Sequence, residues 1–360
     1  MKKFRWILLS LYFVLFISFG LIFYFKYLDR FLKSGAEPQK IETLQNADYI
    51  YYGTDNNLFR LKPELQIDPA NLGRIERLQS TGEVGTVEIN KTGDLLVYDA
   101  KNSQGQREIW QVETKTNQSS KIAAQDLEGL NNFREFFWPQ LSPNNRQVAF
   151  VASAAYDQVM IYDLSSRKTF PLMSNFAVQL AAFSWSPDSQ KIIFCTNNLD
   201  TNACQEINLN NSSDRQILVA EVSQIAQTEE GYIYLAKDGE SVNLFQLGLK
   251  SENIFRITDL IAPKKVSQFQ LDNNKKQIVY EVQEGNKSDI YLVKTDGTNK
   301  IQLTLDGLSR EPVIKPSGED VAFRRASDGI YVIRIDKSSE KKILNFTESG
   351  ETKIKLLLWR

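Results

Sequence analysis

The side chains that most often perform catalysis are scarce in this sequence. Its 360 residues include no histidine and only two cysteines, Cys195 and Cys204. Without histidine the usual general base and the commonest metal ligand are both missing, and two thiols alone do not make a zinc site. The composition therefore argues against Ser-His-Asp and Cys-His catalysis, and we expect no metal or other cofactor.

The two cysteines flank a single predicted hairpin, because Cys195 ends one short apolar run and Cys204 begins the next. Their side chains can face each other across that hairpin, and outside the cytoplasm such a pair can be oxidised. We expect either a disulfide, with Cα atoms about 4.4–6.8 Å apart, or two buried free thiols.

Carboxylates could support two other kinds of chemistry. The clusters Asp55-Asn56-Asn57 and Asp272-Asn273-Asn274 lack the alternating acidic spacing and distal glutamate of a calcium loop, so we interpret them as turn residues. A glycosidase needs only two carboxylates at a set separation. No aspartate or glutamate stands out from the turn and surface background. An extracytoplasmic hydrolase acting on glycan or peptide is therefore only the alternative function.

One short segment has the composition of a binding surface. Residues 131–138, NNFREFFW, combine four aromatic side chains with an arginine, the residue types that are enriched at interface hot spots. Packing inside the core is the alternative, because side chains of a strand alternate sides and not all can be buried equally. The candidate binding residues here are Phe133, Arg134, Phe136, Phe137 and Trp138.

The N-terminal region predicts a membrane anchor. Residues 6–25 are 20 consecutive uncharged residues, which as a helix span about 30 Å, the thickness of a bilayer core. We expect a basic tail at 1–5, a transmembrane helix at 6–25 and a juxtamembrane stalk at 26–44. A cleaved signal peptide, with small residues at 34–36, is the alternative.

Charge is distributed unevenly along the chain. The formal net charge is −1, but residues 1–33 carry six basic side chains and one acidic side chain, which leaves −6 for the remainder. A mildly acidic main part has no electrostatic footprint for nucleic acid. A short basic tail is easier to retain in the cytoplasm than to translocate, so we expect the bulk of the chain in the periplasm or at the cell surface.

The remainder of the chain predicts an all-β repeat fold. A strand that ends in an aromatic residue recurs at intervals of 40–52 residues, the period of a four-stranded propeller blade. We therefore predict a seven-bladed β-propeller over residues 45–360. The recurring residues are Tyr51, Tyr98, Phe150, Phe194, Tyr234, Tyr280 and Phe323.

The first repeat lacks an inner strand, whereas residues 354–359, IKLLLW, match an inner strand with no partner after it. Pairing the two within one blade removes open sheet edges, so we predict closure by this strand. Strict alternation would put Ile354, Leu356 and Leu358 on one side and Leu357 and Trp359 on the other, with Trp359 equivalent to Trp185 of blade 4. Six blades with an accessory hairpin at 48–79 are the alternative.

The repeats WSPDSQKIIF at 185–194, LSPNNRQVAF at 141–150 and KTDGTNKIQLT at 294–304 resemble the propeller repeats of the TolB-like family. Similar blades occur in the propellers of prolyl oligopeptidases. The resemblance covers residues 45–360, but the Ser-Pro turn is kept only in blades 3 and 4. It implies the fold and not the function, because propellers host many unrelated roles.

Strand order indicates where a partner would bind. In a propeller, the connections between blades and the hairpins between each blade's second and third strands lie on one face, which here gathers 133–134, 197–202, 309–311 and 324–325. Arg310, Glu311, Arg324 and Arg325 therefore join the candidate binding residues. We expect a non-catalytic protein-binding or scaffolding module; a structural subunit of a cell-envelope complex is a further alternative.

We predict that the mature protein retains Met1–Lys33 and stays with the membrane fraction during a carbonate wash, because an uncleaved apolar helix is held by the bilayer. N-terminal sequencing and fractionation test this. A mature N-terminus at Glu37 would contradict it and indicate secretion.

Overall fold

The structure is a computed structural model that describes residues 49–55, 57–63, 75–78, 82–172, 179–197, 202–211, 213–249, 253–272, 274–326, 328–346 and 354–359. Within these ranges, 28 strands form seven antiparallel four-stranded sheets. The predicted all-β fold and the count of seven blades are therefore confirmed, and the six-bladed alternative is wrong. Strands of each blade are lettered A to D from the inner strand to the outer strand.

The strands of the first four blades follow in A-to-D order. Blade 1 consists of β28 (Ile354–Trp359), β1 (Ile50–Thr54), β2 (Leu58–Leu61) and β3 (Ile75–Leu78). Blade 2 consists of β4 (Val84–Ile89), β5 (Leu95–Lys101), β6 (Arg107–Glu113) and β7 (Gln118–Ala123). Blade 3 consists of β8 (Glu135–Leu141), β9 (Gln147–Ser153), β10 (Asp157–Asp163) and β11 (Lys168–Pro171). Blade 4 consists of β12 (Leu180–Trp185), β13 (Lys191–Asn197), β14 (Asn202–Asn208) and β15 (Asp214–Val219).

The last three blades repeat the pattern, with shorter outer strands in blades 5 and 6. Blade 5 consists of β16 (Val222–Gln227), β17 (Gly231–Asp238), β18 (Ser241–Gly248) and β19 (Ile254–Arg256). Blade 6 consists of β20 (Lys264–Leu271), β21 (Gln277–Glu284), β22 (Lys287–Lys294) and β23 (Ile301–Gln302). Blade 7 consists of β24 (Ser309–Ile314), β25 (Asp320–Arg325), β26 (Gly329–Arg334) and β27 (Glu340–Asn345).

The core is divided among the junctions between blades. Seven hydrophobic clusters each combine side chains of two successive blades, and one of them joins blade 7 to blade 1. Every blade thus buries both of its faces, which is why the B strands read as near-continuous apolar runs instead of alternating ones. The seven junctions close a ring.

Closure is made by β28, as the sequence predicts. It pairs antiparallel with β1, with Ile354 opposite Thr54 and Trp359 opposite Ile50. Trp359 is equivalent to Trp185, because each ends an A strand. Trp359 lies opposite Ile50, two residues before Tyr52, and Trp185 lies opposite Ile192, two residues before Phe194. Both indoles are 4% exposed.

A β-bulge interrupts every A strand. The A–B register shifts once in each of the seven blades. In β28 the irregularity lies between the residues opposite Tyr51 and Tyr52. As a result, Leu357 and Leu358 both pack toward blade 2, whereas Trp359 packs toward blade 7, on the same side as Ile354. The strict alternation expected for Leu358 and Trp359 is therefore wrong, because a bulge adds one residue to a strand and reverses the sides beyond it.

The recurring aromatic residue of blade 1 is Tyr52, not Tyr51 as the sequence predicts. Tyr52 packs toward the preceding blade, as the aromatic residues of the other six blades do, whereas Tyr51 packs toward blade 2. Tyr52 stacks on Phe59 of the neighbouring strand with ring centroids 5.2 Å apart. The aromatic repeat thus places one large ring at every junction.

Short polar side chains shape the A–B turns. In the Ser-Pro turn of blade 3, Ser142 Oγ accepts the N–H of Gln147 at 2.9 Å. In blade 6, which lacks the proline, Asp272 Oδ1 accepts the N–H of Gln277 at 3.0 Å. A serine hydroxyl and an aspartate carboxylate therefore close the same turn, which agrees with the interpretation of Asp272 as a turn residue.

Cys195 and Cys204 lie directly opposite each other on β13 and β14 and form a disulfide. Their Cα atoms are 4.0 Å apart, below the expected range, because the two residues are a directly opposed cross-strand pair. Both are fully buried in the cluster between blades 4 and 5.

Polar contacts between blades complement the apolar clusters. At each of the seven junctions at least one hydrogen bond involving a side chain crosses from one blade to the next. The pairs, in order around the ring, are Lys355–Gly85, Glu88–Leu141, Gln140–Phe183, Glu206–Tyr232, Gln224–Phe269, Glu281–Glu311 and Glu311–Leu356.

We predict that Trp359→Ala lowers the free energy of unfolding by about 3–5 kcal/mol, because it truncates a buried aromatic side chain at the closing junction. The matched control on the same strand is Lys355→Ala, which removes only an exposed side chain and its hydrogen bond to the carbonyl of Gly85, and it should change stability by less than about 1 kcal/mol. Denaturant unfolding of both variants tests this. Equal free energies of unfolding for the two variants would show that β28 does not stabilise the ring.

Candidate binding face

Strand order gives the propeller two different faces. The D–A connections and B–C hairpins lie on one, which we call the connection face, and the A–B and C–D turns lie on the other, the turn face. The predicted segments 133–134, 309–311 and 324–325 all lie at the connection face, since they adjoin the start of β8, the start of β24 and the end of β25. Residues 198–201 of the predicted hairpin lie outside the described residues.

The aromatic segment before and within β8 is divided between two junctions. Phe136 is 0% exposed and packs with half-buried Phe133 between blades 2 and 3, whereas Phe137 and Trp138 pack toward blade 4. Trp138 has a φ of 56° at the bulge, and this reverses the side on which the strand's residues pack. Phe136 is therefore a core residue, as the alternative of packing inside the core expects.

Arg134 is the accessible member of this segment. Its side chain is exposed, and among the described residues no group accepts a hydrogen bond from its guanidinium. Its backbone N–H donates to the carbonyl of Ser153 at 2.8 Å, so the residue is fixed at the rim of the connection face. Of the predicted aromatic-and-arginine set, Arg134 is the residue that can reach a partner without repacking.

Arg324 and Glu311 form an internal pair. Nε and Nη2 of Arg324 each donate to Glu311 at 3.1 Å, a two-point contact whose geometry arginine matches well. Glu311 Oε2 also accepts the backbone N–H of Leu356 at 2.9 Å, and the N–H of Glu311 donates to Glu281 at 2.9 Å. These groups connect blades 6, 7 and 1, so both side chains are already occupied in holding the closing strand.

The other two predicted arginines are also engaged. Arg325 lies 2.7 Å from Asp306 and 2.9 Å from Glu340, with its guanidinium carbon 4.1 Å from the ring centroid of Tyr331. Arg310 Nη2 donates to the carbonyl of Asn286 at 2.8 Å. Arg310, on blade 7, thereby contacts the B–C hairpin of blade 6, and a partner would have to compete for both arginines.

Sequence reasoning missed the exposed apolar side chains of this face. Eight large hydrophobic residues are exposed among the described residues, and four of them lie in the connections and hairpins of the connection face: Tyr156, Ile261, Leu305 and Leu308. The other four lie on outer strands β11, β15 and β19, and none of the eight lies in an A–B or C–D turn. The signal in the sequence that could have identified the first four is a large apolar residue outside the predicted strands.

Ile261 and Leu305 are the most exposed of the set, at 80% and 81%. They lie in successive D–A connections, between blades 5 and 6 and between blades 6 and 7, and Leu308 follows in the second connection. Exposed apolar side chains grouped on one surface are typical of a contact site for another macromolecule.

A channel lined by both polar and apolar side chains runs between the seven A strands. Its volume is about 650 Å³, and residues of every blade line it. The glutamines that line it are bonded to neighbouring strands: Gln140 donates to Phe183 at 2.9 Å, Gln224 to Phe269 at 2.8 Å and Gln270 to Leu357 at 3.2 Å. These amides connect strands around the axis.

Lys275 lies in an A–B turn, at the end of the channel on the turn face. Its ammonium group donates to the carbonyl of Gln227. Burial and, secondarily, the charge of Lys91 lower the pKa of Lys275, while Glu88 and Glu229 act in the opposite direction. The channel thus has a partly buried amine at this end.

The described residues contain neither a candidate metal cluster nor a candidate membrane-spanning helix. No group of three or more histidine, cysteine, aspartate or glutamate side chains there is placed to hold a metal ion. No helix among them is long and apolar enough to cross a bilayer, and the predicted transmembrane helix at 6–25 lies outside the described residues.

Comparison with known proteins identifies the fold. No protein-family model and no curated protein matches the sequence. Among solved structures, TolB from Acinetobacter baumannii is 15% identical with a TM-score of 0.55, over 74% of this chain and 66% of TolB. A prolyl endopeptidase is 11% identical with a TM-score of 0.61, over 86% of this chain and 49% of that enzyme. An oligogalacturonate lyase in complex with manganese is 11% identical with a TM-score of 0.58, over 83% and 84% of the two chains.

The chain is a seven-bladed β-propeller. The predicted resemblance to TolB-like propellers is confirmed at the level of the fold. The chain spans about two thirds of TolB and about half of the prolyl endopeptidase. Because these structures include both enzymes and TolB, the shared fold does not decide the function.

We predict that Glu311→Gln lowers the free energy of unfolding by about 1–3 kcal/mol, because the amide NH2 that replaces one carboxylate oxygen cannot accept from Arg324 and the charge of the pair is lost. Arg134→Ala, on the same face, should change stability by less than about 0.5 kcal/mol. Chemical denaturation compares the two variants. If Glu311→Gln unfolds at the wild-type denaturant concentration, the pair of Arg324 and Glu311 does not stabilise the ring.

Proposed function

We propose that this protein is a membrane-anchored, extracytoplasmic and non-catalytic module that binds another protein through its connection face. The observation that supports this most directly is that four large exposed apolar side chains lie in the connections and hairpins of that face, whereas none lies in the described A–B and C–D turns of the other face. Such side chains contribute little to the propeller's own core, and burying them in an interface is favourable.

The composition of the face suits a protein partner. Along the chain, Ile261 and Leu305 are close to charged residues such as Lys264, Asp306 and Arg310, and an apolar centre with a polar rim is the usual arrangement of a protein interface. Exposed Arg134, on another part of the same face, adds a residue type that is enriched at binding hot spots.

The anchor and the location belong to the same proposal. The 20 uncharged residues at 6–25 support retention in a membrane, and the short basic tail supports a cytoplasmic N-terminus. The buried disulfide Cys195–Cys204 is consistent with an oxidising compartment outside the cytoplasm.

We predict that a photo-crosslinking amino acid at position 261 or 305 captures one discrete protein partner in cells that naturally produce this chain. The matched control is position 254, where the native isoleucine is 55% exposed but lies on outer strand β19. Mass spectrometry of the adducts identifies the partner. Adducts of equal yield from all three positions would contradict a specific connection-face site.

A substitution test complements the crosslinking. Ile261→Ser combined with Leu305→Ser should reduce partner capture while leaving the melting temperature nearly unchanged, because both side chains are about four-fifths exposed. Ile254→Ser should reduce neither. Undiminished capture by the double variant would show that the partner binds elsewhere.

A further inference from the structure

Blade 2 carries a groove that the proposed protein interface does not use. The groove has a volume of about 700 Å³ and lies on the outer two strands of the blade, β6 and β7. The B–C hairpin at 102–106 and the D–A connection at 125–126 complete its walls, so it opens toward the connection face.

Most polar groups in the groove are held in place by one another. Gln106 Nε2 donates to Gln125 Oε1 at 2.9 Å, and Asn102 Nδ2 donates to Glu108 Oε1 at 2.9 Å. Lys121 Nζ donates to the same Glu108 oxygen at 3.2 Å. The network fixes the orientation of the Glu108 carboxylate and of the surrounding amides before anything binds.

Two buried polar atoms of this groove lack hydrogen-bond partners among the described residues. They are Glu108 Oε2 and Trp110 Nε1. Glu108 as a whole is only 5% exposed. One atom is an acceptor and the other a donor, and both residues line the groove. Buried polar atoms without partners are rare and costly, so an unpaired acceptor and an unpaired donor in one groove indicate a ligand that supplies both partners.

We propose that this groove binds a neutral carbohydrate. A hydroxyl group can donate to Glu108 Oε2 and accept from the indole N–H of Trp110, which satisfies both atoms with one kind of ligand group. An anionic ligand would meet two carboxylates, Glu108 and Asp126, against one lysine. A cationic ligand would compete with Lys121, which already lies between those carboxylates.

The remaining residues of the groove favour a sugar over a peptide. Trp110 is the only large apolar side chain among the described residues that line it, and the others are amide, hydroxyl or charged. Peptide sites generally add pockets for apolar side chains, whereas amides and carboxylates beside one aromatic ring suit a molecule covered in hydroxyls. This inference does not rest on the proposed protein partner.

The test is titration of the full chain with neutral tetrasaccharides of glucose, mannose or N-acetylglucosamine, in a detergent without a sugar headgroup. We expect at least one to bind. Glu108→Gln and Trp110→Phe should each weaken that binding by about tenfold or more, since the first replaces the acceptor Oε2 by an NH2 group that only donates and the second removes the indole N–H. The matched control Glu113→Gln changes an exposed residue of the same strand and should bind like the wild type.

A second measurement covers the case in which a variant fails to fold. In the wild type labelled with ¹⁵N-tryptophan, the saccharide should shift the indole N–H signal of Trp110 and slow its hydrogen exchange. No binding by any of the three saccharides overturns the proposal, as does binding that Glu108→Gln and Trp110→Phe leave unchanged. Tetraglycine binding as tightly as the best saccharide would assign the groove to a peptide instead.

Discussion

Closure of the ring is the constraint on which the other features of this structure depend. Each blade buries both faces against neighbours, so an isolated blade would expose the residues of two clusters. At the junction between blades 7 and 1, blade 1 is itself assembled from distant segments, since β28 pairs with β1 across about the full length of the fold. Folding must therefore satisfy a long-range pairing before the apolar area at this junction contributes fully.

That constraint explains why polar residues near the closing strand are not available for binding. The carboxylate of Glu311 accepts from Arg324 and from the backbone of Leu356, and its own N–H donates to Glu281. A partly buried charge is tolerated when it is paired and hydrogen-bonded, and here each bond also joins two blades or two strands. Charged residues at a loop-rich face can thus be structural, and their charge alone does not mark a contact surface.

The parts of the fold that follow from periodicity could be predicted, and those that depend on local backbone geometry could not. Seven blades and the closing role of β28 follow from aromatic residues and apolar runs that repeat at regular distances. The bulges do not, because one inserted residue leaves the apolar composition of a strand unchanged while moving Trp359 to the other side. For the same reason the composition of 131–138 does not show that the bulge at Trp138 places this residue on the same side as Phe137, away from buried Phe136.

The two equivalent tryptophans show how the closing junction differs from an internal one. Trp185 donates its indole N–H to the carbonyl of Gln140 on the preceding blade at 3.1 Å, whereas the indole N–H of Trp359 is buried without an acceptor. An unmade hydrogen bond of this kind costs about 1–3 kcal/mol. Lys315, with its Nζ 5.7 Å from the ring centroid of Trp359, offsets part of that cost through a cation–π contact. The closing junction therefore lacks an equivalent of the hydrogen bond from Trp185 to Gln140. It is held by apolar packing and by the hydrogen bonds of Glu311.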